Sequence, residues 1–127
     1  MKILVVDDAA TIRTIAGGLL TDAGYDVLKA EDGEQALVLT HNEHPDLIVL
    51  DLVMPKMTGF QFVREIRQDP RVKNIPILIM SEVISVHAAH DLLHKFGIVS
   101  FMSKAQMMTF LVSRVHEIHS KQADQVA

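Results

Sequence analysis

A doubly wound α/β domain on a five-stranded parallel sheet is the fold this chain predicts, and three observations predict it. Short apolar runs alternate along the whole length with stretches whose apolar residues recur at helical spacing. Most of the runs are continuous, as strands buried on both faces of a parallel sheet are. They also end in residues able to do chemistry: Asp7 and Asp8 after Ile3-Leu4-Val5-Val6, Asp51 after Leu47-Ile48-Val49-Leu50, Ser81 after Ile77-Leu78-Ile79-Met80, and Lys104 after Ile98 to Ser103. With 127 residues, 49% of them hydrophobic, the chain has enough material for one domain with a sizeable core.

The elements follow in order. After the first strand, Ile12, Ile15, Ala16, Leu19, Leu20 and Ala23 mark a helix that Gly24 stops. A second, shorter strand covers Asp26 to Ala30. The second helix runs from about Gly33 to Asn42, with Ala36, Leu37 and Thr40 inward, and Pro45-Asp46 leads into the third strand. Thr58 is the expected N-cap of a third helix that turns Phe60, Val63 and Ile66 to the sheet and ends at Asp69-Pro70. A fourth helix is expected over about Val86 to Phe96, carrying Ala89, Leu92, Leu93 and Phe96, with Gly97 as its cap. A fifth, about Ala105 to His119, buries Met108, Leu111, Val112, Val115 and Ile118. Residues 1–120 form the domain, and Lys121 to Ala127 read as a polar, frayed tail. Right-handed crossovers give the flavodoxin-like strand order 2-1-3-4-5 with five helices.

Composition excludes several classes. A net charge of -4 offers no basic stripe for nucleic acid. With no cysteine there is neither a disulfide framework nor a thiolate metal site. No apolar stretch approaches the roughly 20 residues of a membrane span, and the first run meets two aspartates too soon for a signal peptide. A cytoplasmic protein is the expectation.

In such sheets ligands bind beyond the carboxyl ends of the strands, at the point where strand order reverses. Strands one and three are then neighbours, and Asp7, Asp8 and Asp51 share a pocket. Close carboxylates repel one another, and a hard divalent cation with oxygen ligands and waters, Mg²⁺ or in its place Mn²⁺, removes the conflict. Asp51, at the end of the central strand, is the nucleophile candidate for an acyl-phosphate intermediate. Lys104 supplies a point charge for phosphate oxygens and Ser81 a hydroxyl. Any one of these residues alone reads equally well as a turn former or N-cap, and Asp8 could simply open helix one. All of them at one rim is the informative pattern.

The segments V-V-D-D, P-D-L-I-V-L-D-L-V-M-P-K-M-T-G, I-L-I-M-S and F-M-S-K resemble the receiver domain of two-component response regulators over residues 1 to about 119. The resemblance implies that Asp51 is the phosphoacceptor, Asp8 a direct metal ligand, Asp7 a ligand through water, and the Val53 backbone carbonyl a further ligand. It makes Ser81 the switch hydroxyl, Lys104 the phosphate-binding lysine and Phe101 the switch aromatic. The phosphoryl donor would be a histidine kinase or phosphotransfer protein. The output would be affinity for a downstream protein at the face of helix four, strand five and helix five, with no nucleic acid bound by the domain itself. Catalysis would extend only to self-phosphorylation and autodephosphorylation.

Two residues depart from the family pattern beside the pocket. Glu82 replaces a small residue after the switch hydroxyl, and Ala105 replaces proline after the lysine. A cis bond before a non-proline residue costs about 2.5–4 kcal/mol, so the Lys104-Ala105 bond is expected trans. A degenerate receiver, acting as a phosphorylation-independent interaction module, is the alternative that Glu82 keeps open. A haloacid-dehalogenase-type phosphohydrolase would need a D-x-D pattern, which neither Asp7-Asp8-Ala9 nor Asp51-Leu52-Val53 supplies. A flavin or nucleotide carrier would need a Gly-rich phosphate loop where Asp7-Asp8 stands. The histidines 87, 90, 94, 116 and 119 read as exposed polar faces, and the seven methionines as core filler. Gly17-Gly18 reads as a tolerated weakness of helix one.

Overall fold

The structure is a computed structural model that describes residues 1–82, 91 and 94–126, with side chains through Gln122. Five strands, β1 (Lys2–Val6), β2 (Asp26–Ala30), β3 (Leu47–Leu50), β4 (Ile77–Ser81) and β5 (Ser100–Ser103), form one sheet in the order β2-β1-β3-β4-β5, every pair parallel. Helices α1 (Ala10–Asp22), α2 (Gly33–Glu43) and α3 (Gly59–Gln68) connect the first four strands. A single 3-10 turn, Lys104–Gln106, opens into the C-terminal helix, Met107–Val126. The predicted topology is the observed one.

Alternation along each strand divides the core into two layers. Leu4, Val6, Ile48, Leu50, Ile77 and Ile79 point to the side covered by Ala36 of α2 and by Phe62, Val63 and Ile66 of α3. Ile3, Val5, Val49, Leu78 and Met80 point to the other side, under Ala16 and Leu20 of α1 and Leu111 and Val115 of the C-terminal helix. Burial on both faces is why β1, β3 and β4 read as unbroken apolar runs. β2, on the edge, keeps Asp26 and Lys29 exposed.

Local signals set the helix ends. Thr58 caps α3 by accepting the Gln61 N–H, and the Gln61 side chain returns to the Thr58 N–H at 2.9 Å, a capping box. Asp32 caps α2 by accepting the Gln35 N–H at 2.8 Å. Gly24 and Gly97 hold φ of 96° and 62°, the left-handed region that a stop after a helix uses. A Cβ at Gly17 would lie 2.6 Å from the Lys29 Cε, near the far end of an exposed, flexible side chain that can move aside, so the space there does not demand a glycine.

Three expectations change, and a fourth is described only in part. Phe60 is exposed and Phe62 takes its place in the core, because the inward stripe of α3 is Phe62-Val63-Ile66. Met108 is exposed and Met107 buried, since the 3-10 turn delays the last helix and sets its stripe at Met107, Leu111, Val115 and Ile118. That helix continues through residues 121–126, so the expected frayed tail is helical. Of the fourth helix, residues 91 and 94–96 are helical, while Val86, His87, Ala89, His90, Leu92 and Leu93 lie outside the described residues.

Candidate functional site

The site forms where the carboxyl ends of β1, β3, β4 and β5 meet. Register does the gathering: Val6 pairs with Leu50, Leu50 with Ile79, and Ser81 with Ser103, so the next residues along the strands converge. Asp7, Asp51 and Ser81 are 1%, 4% and 2% exposed. Asp8 stands in solvent at the mouth. One carboxylate oxygen from each of Asp7, Asp8 and Asp51 falls within 4.8 Å of the others.

Each inner carboxylate has one oxygen held by the fold and one turned to Lys104. Asp7 Oδ1 accepts the Ala9 N–H at 2.9 Å, while its Oδ2 lies 2.8 Å from the Lys104 ammonium in an ion pair and has no other partner among the described residues. Asp51 Oδ1 receives the Val53 N–H at 3.3 Å and the Ser81 hydroxyl at 3.4 Å, and its Oδ2 receives the Lys104 ammonium at 3.2 Å. Burial pushes the Asp7 carboxyl above the usual range, a push that Lys104 and the Ala9 amide oppose and the Asp51 charge reinforces. Burial also works against the Lys104 charge, but Asp7 and Asp51 outweigh it and hold the ammonium above the usual lysine range.

Ala9, not Asp8, stands at the N-cap of α1, and no side chain caps that helix. Asp8 is thus left available for a ligand, which removes the ordinary explanation for an aspartate at that position. Phe101 is half-buried against the layer under α2 and α3. Its carbonyl accepts the Arg114 guanidinium at 2.9 Å, and the same nitrogen bonds the Ser100 hydroxyl. The Lys104-Ala105 bond is trans, there being no cis peptide among the described residues. The 3-10 turn, with the Ser103 N–H on Gln106 Oε1 at 3.3 Å, still lets the lysine reach both acids.

Two supports escaped sequence reasoning. Arg13 donates to the Asp7 backbone carbonyl at 2.7 Å and fixes the loop that carries both acids. A residue at this distance along a helix carries no spacing signal for such a contact. Gly59 allows α3 to begin against β3: a Cβ there would lie 2.5 Å from the Asp51 carbonyl oxygen. The same glycine figures in the M-P-K-M-T-G segment, but its steric reason is visible only in three dimensions.

Converging carboxylates, a hydroxyl and an ammonium at the carboxyl rim of a parallel sheet of this order place the chain in the flavodoxin-like class of α/β domains. The profile described as "Response regulator receiver domain" matches residues 3–116, and the chain belongs to that family. It is 48% identical over 82 residues to the "Probable transcriptional regulator ycf27" of Porphyridium aerugineum, 65% of this chain against 34% of that protein. It is 43% identical over 82 residues to the "Chemotaxis protein CheY" of Pseudomonas aeruginosa, covering 64% and 66%. The chain thus spans about a third of the length of the ycf27 relatives. Among solved structures, chemotaxis protein CheY4 of Vibrio cholerae superposes with a TM-score of 0.79 at 33% identity, covering 90% of this chain and 97% of that one. The receiver domain of Francisella response regulator 1452 gives 0.86 at 28%, covering 95% and 98%. Receiver domains bind Mg²⁺ in an acidic pocket, and the donors here suit it: oxygen atoms only, three carboxylates, and an Asp7 oxygen satisfied by charge alone. Among the described residues, no helix is long and apolar enough to cross a membrane.

Proposed function

We propose that the chain is a phosphorylation-driven switch in which Asp51 accepts a phosphoryl group from a histidine kinase or phosphotransfer protein. The observation that carries this reading is the division of Asp51: one oxygen is fixed by Val53 and Ser81, and the other, among the described residues, meets the Lys104 ammonium. Asp8, Asp51 and the Val53 carbonyl would hold Mg²⁺ or Mn²⁺ directly, and Asp7 would do so through water. The bound cation would neutralise charge between the incoming phosphoryl group and the acids.

The chain's own residues supply the rest. A carboxylate oxygen of Asp51 forms a P–O bond as the P–N bond of a phosphohistidine breaks, the electron pair leaving with the imidazole. Lys104 then exchanges its carboxylate contacts for a phosphoryl oxygen, and the Ser81 hydroxyl, already on the Asp51 carboxylate, turns to another. Removing Lys104 and Ser81 from their resting contacts lets Phe101 shift inward and alters the face formed by the fourth helix, β5 and the C-terminal helix, where a downstream protein would bind. Catalysis on other substrates is not part of this reading, and a cytoplasmic setting matches it.

Incubation with acetyl phosphate and Mg²⁺ followed by intact-mass measurement tests it. The wild type gains one phosphoryl group and Asp51→Asn gains none, with both folded. A folded wild type that takes up nothing would instead favour the phosphorylation-independent module. A stable adduct on Asp51→Asn would overturn the choice of nucleophile.

A further inference from the structure

The loop from Asp51 to Thr58 carries the proposed phosphoacceptor at one end and a strained turn at the other. The Met57 N–H donates to the Pro55 carbonyl at 2.8 Å, closing a three-residue turn around Lys56 at φ 67°. A lysine in that conformation is disfavoured, and strain of this kind, about 1–3 kcal/mol, persists only where neighbours hold it. The neighbours come from the first turn of α2. Lys56 Nζ lies 3.6 Å from Asp32 Oδ2, and Asp32 is itself buried and committed through its other oxygen to the Gln35 N–H. Met57 lies flat on Gly33: a Cβ added there would fall 2.7 Å from Met57 Cβ, 2.9 Å from Cγ and 3.0 Å from Sδ.

Contact at the Met57 Cβ means that the backbone of the loop, not just the thioether, would have to retreat from any side chain at 33. The other end of the loop has no slack to absorb this. Leu52 and Met54 are buried in the core, and the Gly59 N–H bonds the Leu52 carbonyl at 3.0 Å. Val53, between them, is the residue whose N–H touches Asp51 Oδ1.

From this geometry we propose that the N-terminus of α2 is a positioning element for the phosphorylation site: Asp32 and Gly33 clamp the strained turn at Lys56-Met57 and thereby set the Val53 peptide against Asp51. The inference rests on the receiver chemistry proposed above and adds residues that touch neither metal nor phosphoryl group.

Calorimetric titration of the full chain with MgCl₂, alongside thermal unfolding, tests it. Gly33→Ala should weaken Mg²⁺ binding about tenfold, the scale on which outer supports of metal ligands act. Met57→Gly, which removes all three crowded atoms, should restore most of that affinity in the double variant, a non-additivity that a change of helix propensity alone cannot give. Gly18→Ala, where a Cβ meets nothing within 4 Å, is the control and should leave affinity unchanged. Unchanged affinity in Gly33→Ala, or equal loss in the single and double variants, overturns the proposal while wild-type binding upholds the receiver reading. A wild type that binds no Mg²⁺ overturns both. Should Gly33→Ala not fold, Asp32→Asn keeps the cap and removes the charge opposite Lys56, and undiminished Mg²⁺ affinity there overturns the clamp.

Discussion

At the scale of single residues, Lys104 is the hinge of the site's energetics. Its ammonium is the counter-charge that the described residues set against the buried Asp7 oxygen, and removing one member of a buried ionic set costs about 3–5 kcal/mol because the others are stranded. Lys104→Met should therefore lower the unfolding temperature of the metal-free protein, and saturating Mg²⁺ should recover most of the loss, as thermal scans with and without the cation would show. Asp8→Ala should weaken Mg²⁺ binding more than Asp7→Ala does, because Asp8 is exposed and, among the described residues, no hydrogen bond or ion pair diverts it; equal affinities by calorimetry would contradict this. Glu82 is exposed and directly follows Ser81, which brings a carboxylate to the carboxyl end of β4. Glu82→Ala should raise the rate of phosphorylation by acetyl phosphate, most at low salt where repulsion is least screened, and stopped reactions weighed over time would measure it. The gathering of Asp7, Asp8, Asp51, Ser81 and Lys104 at one rim was legible because each stands at the end of a strand-like run. Arg13 and Arg114 were not, because each acts on a backbone carbonyl, which any residue offers.

At the scale of elements, period reading succeeded where apolar and polar residues contrast and slipped where two apolar candidates stand close together. Phe60 and Phe62 both flank the α3 pattern, as Met107 and Met108 do in the last helix, and a small change in where the helix begins decides which one turns inward. The end of α2 carries a feature with its own pH dependence. His41 Nε2 meets Asp69 Oδ2 at 2.6 Å and Nδ1 meets the Leu37 carbonyl at 2.8 Å, two acceptors that only the imidazolium satisfies together. Asp69, followed by the Leu37 carbonyl, holds His41 above its ordinary 6.5. Asp69 itself is held well below the usual carboxylate range, first by Arg71 and then by His41. A raised histidine pKa stabilises the fold fully below 6.5, and the gain is lost as pH rises through the folded-state value. The difference in unfolding temperature between wild type and His41→Gln should thus be greatest in mild acid and close in mild alkali. A constant difference across that window would refute the ion pair.

At the scale of the molecule, topology was the most legible property, since buried parallel strands and helical spacers leave few arrangements. The clamp of α2 on the β3-α3 loop was the least legible, because nothing local links Gly33 to Met57. Ligand linkage applies to the whole fold: Mg²⁺ at a hundred times its dissociation constant should add about 2.7 kcal/mol to the unfolding free energy, and a flat melting temperature across a MgCl₂ series would deny a resident site. The order of strands in the sheet has a consequence for how the molecule breathes. The three acids come from β1 and β3, whereas the hydroxyl and the ammonium come from β4 and β5 on the far side of the central strand. In the proposed switch the cation would draw on β1 and β3 alone, whereas the phosphoryl group, attached to Asp51 at the end of β3 and met by Ser81 and Lys104, would reach across to β4 and β5. Amide hydrogen exchange should reveal a seam: the cation alone would slow exchange at the ends of β1 and β3, and only the acyl phosphate, spanning the seam, would extend that protection to β4 and β5.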